Sequence, residues 1–109
     1  MFGANNYADK LPISKGWIIW DKKDARAGGD QGDAELAWTN YLGCCRLFHH
    51  MWMGICKDSE KREKRCHPTQ KPIALMRWIL AGTLGPGLLV YDPYMGAGST
   101  LIAAAMQKN

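Results

Sequence analysis

The sequence predicts a protein of the α/β class, on the evidence of two strand patterns and a glycine-rich turn that leads into a helix. Residues 16–20 combine β-branched and aromatic side chains and are followed at once by charged residues, which is typical of a buried strand. Residues 88–91 form a continuous apolar run, the pattern of a strand buried on both faces of a parallel sheet. A glycine-rich segment, 92–100, follows directly, and then an alanine-rich helix at 101–107. A parallel sheet with helices packed on it is therefore expected.

A second helix is predicted between the two strand patterns. Pro72 suits the first turn of a helix, and apolar residues recur after it at spacings of three and four as far as about Gly82. Residues 45–52 have the pattern of an edge strand. Residues 35–39 fit either a turn of helix or a strand, and the pattern alone does not separate these two possibilities.

Length and charge restrict the kind of protein this is. The chain has 109 residues, enough for one domain, with 14 basic and 10 acidic side chains and a net charge of +4. No apolar run approaches the roughly 20 residues needed to cross a bilayer, and the first residues lack the features of a secretory signal, so a cytoplasmic location is expected. Residues 57–71 hold six basic and three acidic side chains, a net +3. This basic loop faces either a phosphate backbone or water.

The charge distribution divides the single domain, residues 1–109, into three regions. Residues 1–56 hold strands and a loop, 57–71 are the basic loop, and 72–109 carry the helix, strand, glycine turn and helix. Four cysteines, Cys44, Cys45, Cys56 and Cys66, form no CxxC pair. We therefore expect free thiols and no metal site.

The glycine turn has the chemistry of a ligand site. Gly96 and Gly98 can adopt positive φ and allow a ligand to approach the backbone. The helix that follows presents unpaired N–H groups to a carboxylate or phosphate. The dinucleotide fingerprint is excluded because Leu101 stands where its third glycine belongs, and no Gly-Lys-Ser/Thr follows to make a P-loop.

Two elements in a fixed order resemble a known family. His-Pro-Thr-Gln-Lys-Pro at 67–72 precedes Asp-Pro-Tyr-Met-Gly-Ala-Gly-Ser-Thr at 92–100. This order is similar to that of the β-class amino-group DNA methyltransferases, which methylate adenine N6 or cytosine N4 with S-adenosylmethionine. Segments near the amino terminus, among them Gly-Trp-Ile-Ile-Trp-Asp-Lys at 16–22, resemble phage and prophage members. DNA is the partner that this resemblance implies.

The resemblance also implies the residues of a cofactor site, which are Thr69, Lys71, Asp92, Tyr94, Gly96 and Gly98. The last four would line the S-adenosylmethionine pocket, with the ring of Tyr94 in place of the usual phenylalanine. Thr69 and Lys71 would lie near the methionine end, where the Lys71 ammonium and the start of the helix both favour its carboxylate. His67 is expected to hold the loop in place.

The catalytic Asp-Pro-Pro-Tyr motif of the family is absent from the 109 residues, so we assign no catalytic residue. We expect a truncated, partial Rossmann-like methyltransferase sheet of about three to four strands and two main helices, inactive alone, with the central catalytic-motif strand missing. The strands at 16–20 and 88–91 would then have open edges that favour a homo-oligomer or a partner chain. The alternative is a non-catalytic, phage-encoded interaction protein built on a methyltransferase remnant. Residues 24–35 and 57–66 are the candidate DNA-contacting loops.

Overall fold

A computed structural model describes residues 1–24, 29–83 and 87–107. The described residues form two compact units, Met1–Asp58 and Ser59–Asn109. Part of the loop predicted around residues 24–33 lies outside the described residues.

The first unit is built on a three-stranded mixed sheet. Its strands are β1 (Gly16–Asp21), β2 (Ala34–Thr39) and β3 (Arg46–His49). They lie in the order β2-β1-β3, with β2 antiparallel and β3 parallel to β1. The structure therefore resolves the open question at residues 35–39 in favour of a strand, and β3 confirms the predicted edge strand.

Buried and half-buried side chains alternate along β1, the central strand of the sheet. Gly16, Ile18 and Trp20 are buried while the residues between them are half-buried, as the two-residue period of a strand requires. The indole N–H of Trp20 donates a hydrogen bond of 3.0 Å to the carbonyl of His50, so this buried ring also satisfies its polar atom.

The prediction that the first buried strand has an open edge is wrong. β1 is paired on both sides, because β2 and β3 take the places beside it. The far edge of β2 is partly covered by the amino terminus, where Phe2 bridges to Ala37 and the Met1 amino group donates to the carbonyl of Trp38 at 2.8 Å. Two short 3₁₀ turns, Ala4–Asn6 and Ala8–Lys10, follow that segment.

The first unit ends in a two-stranded hairpin. Its antiparallel strands are β4 (Trp52–Met53) and β5 (Cys56–Lys57). Met51 and Asp58 extend the pairing at its base, since the Asp58 N–H donates to the Met51 carbonyl and the Met51 N–H to the Asp58 carboxylate.

The second unit holds two helices, α1 (Ile73–Thr83) and α2 (Ser99–Gln107), which pack against each other. α1 lies where the apolar spacing after Pro72 predicts a helix, and α2 includes the alanine-rich run predicted to be helical at 101–107. Leu75, Met76 and Leu80 of α1 and Ala103 of α2 are buried.

The prediction of a strand at residues 88–91 is wrong for the described part of the chain. The segment has no strand pairing within the described part of the chain, and Leu89 and Tyr91 are 96% and 85% exposed. Its apolar run is suited to burial between neighbouring strands, and no described strand supplies them. The α/β class is confirmed, with three sheet strands, a hairpin and two α-helices among the described residues. None of the helices in the described ranges is long and apolar enough to cross a membrane.

Candidate functional site

The two motif segments of the second unit meet at two contacts. The hydroxyl of Ser99 donates a hydrogen bond of 2.7 Å to the carbonyl of Lys71, 28 residues earlier. The ring of His67 lies against Gly96, where an added Cβ would be 3.8 Å from it. Ser99 is buried, so its hydroxyl is committed to this link. The structure thus places the 67–72 loop beside the 92–100 turn.

The glycine turn has the backbone geometry that its sequence predicts. Gly96 has φ +52° and Gly98 has φ +78°, which confirms the expected positive values. The Asp92 carboxylate accepts a hydrogen bond of 3.1 Å from the Tyr94 N–H, and the Gly98 N–H donates to the Met95 carbonyl at 2.7 Å. These bonds turn the chain so that α2 begins directly after Gly98.

His67 holds the preceding loop through one ring nitrogen. Its Nδ1 accepts from the Thr69 N–H at 3.2 Å and lies 3.1 Å from the Thr69 hydroxyl. A nitrogen that accepts from a backbone N–H carries no proton of its own, so the proton of the neutral ring is on Nε2. This geometry agrees with a role for His67 in shaping the loop.

Glu60 is a residue of this site that sequence reasoning missed. Its carboxylate accepts from the backbone N–H of Ile73, the first residue of α1, at 3.0 Å and from the Gln70 side chain at 3.4 Å. The Gln70 amide oxygen in turn accepts from the Cys66 N–H at 3.1 Å. Ile73 lies thirteen positions after Glu60, so no short spacing in the sequence predicts the contact.

The Glu60 carboxylate changes the electrostatics expected at the start of α1. Its negative charge already lies at the positive end of the helix dipole. A ligand carboxylate at this helix start would lie close to that negative charge. Lys71 remains as a cation beside the loop, with its ammonium 3.4 Å from the Thr69 carbonyl.

All six predicted site residues lie in the second unit, with different exposures. Thr69 is exposed, while Lys71, Asp92 and Gly98 are half-buried. The Tyr94 ring is 93% exposed, so nothing in the unit packs closely around it. In the described ranges no group of three or more His, Cys, Asp or Glu side chains could hold a metal, and all four cysteines are free and exposed.

A charged cluster of the first unit lies where β1 and β3 end. The Asp21 carboxylate accepts from the Lys23 N–H at 2.9 Å and contacts His49 Nδ1 at 2.8 Å. The buried Lys23 ammonium contacts the Asp33 carboxylate at 2.8 Å and the Gln31 carbonyl at 2.5 Å. These bonds tie the ends of the strands to the loop that follows β1.

Comparison with known proteins identifies the family. A family described as DNA methylase, of the N6/N4 type, matches residues 45–109, which include both motif segments. The chain is similar to the type II methyltransferase M.EcaI of Enterobacter cloacae, at 32% identity over 102 residues, 90% of this chain and 21% of that protein. It is also similar to the type II methyltransferase M2.MboI of Moraxella bovis, at 28% identity over 98 residues, 85% of this chain and 33% of that protein.

The chain thus spans about a fifth and a third of these two curated relatives. No solved structure matches it significantly. With both motif segments inside the matched range, the chain belongs to the amino-group DNA methyltransferase family.

Proposed function

We propose that the 67–72 loop and the 92–100 turn form the S-adenosylmethionine site of a β-class DNA methyltransferase. The observation that carries this proposal is the hydrogen bond of 2.7 Å from Ser99 to Lys71, which joins the two motif segments. The contact between His67 and Gly96 supports it at a second point.

The residues at the turn fit this cofactor. Apart from its two chain neighbours, no described residue has an atom within 4 Å of where a Cβ on Gly98 would be, so a ligand has room to approach the backbone there. The Lys71 ammonium is the cation for the cofactor's carboxylate, and the exposed Tyr94 ring offers an aromatic face beside Asp92. When bound, S-adenosylmethionine supplies a methyl group on a positively charged sulfur.

The chain alone is proposed to be inactive. Methyl transfer requires the target amino group of an extruded base to be held in line with the methyl group by a carboxylate or carbonyl. The Asp-Pro-Pro-Tyr motif that does this in the family is absent from the 109 residues. These residues are therefore proposed to be one partial Rossmann-like domain, working on DNA in the cytoplasm together with further methyltransferase sequence.

The exposed apolar segment at 88–91 supports the proposal that these residues are a partial domain. Leu88, Leu89 and Tyr91 are 58%, 96% and 85% exposed, which is costly in water for three side chains so close together. We propose that a strand supplied by methyltransferase sequence outside these residues, by a second copy or by a partner chain pairs with this segment. The same exposed segment favours the alternative, a non-catalytic interaction protein.

Titration calorimetry with S-adenosylmethionine tests the proposed site. We expect measurable binding that weakens at least about tenfold in Lys71→Ala, which corresponds to about 1.4 kcal/mol. Lys61→Ala removes an exposed lysine of the same unit and is the matched control, expected to bind normally. Asp92→Asn keeps an oxygen for the Tyr94 N–H and removes the charge, whereas Asp92→Ala removes both. Normal binding by Lys71→Ala and both Asp92 variants would contradict the proposed site.

Two further measurements distinguish the inactive methyltransferase fragment from the non-catalytic interaction protein. Methyl transfer to DNA by the purified chain would refute the proposed inactivity. Absence of cofactor binding, together with a stable complex with another protein, would favour the interaction protein.

A further inference from the structure

We propose that the β4–β5 hairpin contacts DNA and that its tip residue, Ile55, inserts into the base stack of the duplex. This inference rests on the proposed DNA substrate and adds a residue that neither motif segment contains. Ile55 is 97% exposed, so none of the described residues covers its side chain.

The hairpin presents this side chain on a well-anchored support. Trp52 pairs with Lys57 and Met53 with Cys56. At the base, the Asp58 N–H donates to the Met51 carbonyl at 3.0 Å, and the Met51 N–H donates to the Asp58 carboxylate at 2.7 Å. Six residues are thus joined across the hairpin, which lowers the entropy cost of placing its tip against a partner.

The turn does not explain why an isoleucine is at the tip. Gly54 has φ +55° and supplies the left-handed residue that a two-residue hairpin turn needs. Turn tips favour glycine, asparagine, aspartate and serine, whereas a β-branched apolar residue is stiff and gains nothing there. A residue that departs from the local turn chemistry, with no compensating contact among the described residues, is a candidate for contact with a partner.

The chemistry of the hairpin fits DNA. Proteins that kink or open a duplex insert isoleucine, leucine, phenylalanine or methionine between base steps. An enzyme that extrudes its target base also leaves a gap in the stack that such a side chain can fill. Lys57, two residues after Ile55 on the same hairpin, holds its ammonium 4.7 Å from the centre of the Trp52 ring, and a cation on this hairpin suits the phosphate backbone.

Fluorescence anisotropy of the full chain with two labelled duplexes tests the inference. The duplexes have one mixed sequence, and one of them contains a single abasic site, where the gap in the stack already exists. We expect the chain to bind the abasic duplex at least about fivefold more tightly, since less unstacking is required. Ile55→Ser should abolish this preference, and Ile55→Leu should keep it because the side chain remains apolar.

The matched control is Ile13→Ser, which removes another fully exposed isoleucine from the same unit and should bind like the unaltered chain. Circular dichroism of each variant checks that the fold is kept. Equal binding of the two duplexes by the unaltered chain, or an unchanged preference in Ile55→Ser, would overturn the inference. If Ile13→Ser lost the preference for the abasic duplex as Ile55→Ser does, the inference would also be overturned.

Failure to bind either duplex would overturn the hairpin inference. The cofactor proposal would be unaffected, because calorimetry with S-adenosylmethionine tests it separately.

Discussion

Replacement of Glu60 offers a sharp test of how the 67–72 loop is held. Glu60→Ala removes the carboxylate that accepts from the Ile73 N–H at 3.0 Å and from Gln70 at 3.4 Å. Loss of a cap at a helix start costs about 1 kcal/mol. The longer bond to Gln70 adds roughly 0.5 kcal/mol. We therefore expect the alanine variant to lose about 1.5 kcal/mol of unfolding free energy.

Glu60→Gly gives a matched comparison because Glu60 has φ +51°. Glycine loses the same hydrogen bonds but relieves about 1 kcal/mol of left-handed strain. Its greater entropy in the unfolded chain offsets part of that gain. The glycine variant should therefore be more stable than the alanine variant, by about 0.5 kcal/mol.

Urea unfolding followed by circular dichroism at 222 nm suits this comparison, since both α-helices lie in the unit that contains Glu60. An alanine variant as stable as the unaltered chain would refute the capping role. A glycine variant less stable than the alanine variant would refute the strain argument.

Four further predictions concern the turn, the helices and the amino-terminal unit. Gly98→Ala should lower the unfolding free energy by about 1–2 kcal/mol, because φ is +78° and the open space around it leaves strain as the main cost; unchanged urea unfolding would contradict this. Gly82 lies inside α1 with open space around it, so Gly82→Ala should raise the free energy of unfolding by about 0.5 kcal/mol. A lower free energy of unfolding in this variant would contradict the prediction. Asp21→Ala should lower the free energy of unfolding by about 1–2 kcal/mol. Asp21→Asn should lower it less, because asparagine still accepts from the Lys23 N–H. Equal decreases in the two variants would contradict that order. Burial lowers the pKa of the Met1 amino group below its usual 8.0, so the unfolded chain binds this proton more tightly than the folded chain does. The free energy of unfolding should therefore rise as pH increases through the folded pKa towards 8. Acetylation of the amino group should remove that rise.

Elements whose pattern reports local geometry were predictable from the sequence. α1 follows from apolar residues at spacings of three and four after Pro72, and β1 from its β-branched and aromatic run. The positive φ of Gly96 and Gly98 follows from glycine itself.

Features that depend on distant residues were not predictable. The apolar run at 88–91 reports a preference for burial, but whether it forms a strand depends on a pairing partner, and no described strand pairs with it. Likewise, the link between Ser99 and Lys71 spans 28 residues, and the contact from Glu60 to Ile73 depends on a left-handed backbone at a glutamate. No spacing in the sequence specifies such contacts.

Hydrogen exchange with and without S-adenosylmethionine tests most directly whether the two motif segments form one cofactor site. If they do, the cofactor should slow exchange of backbone amides in both 67–71 and 94–99. Residues 34–39 of β2 in the other unit serve as the internal reference and should be unchanged. Cofactor binding that protects one segment and leaves the other unchanged, or that protects neither, would contradict a shared site.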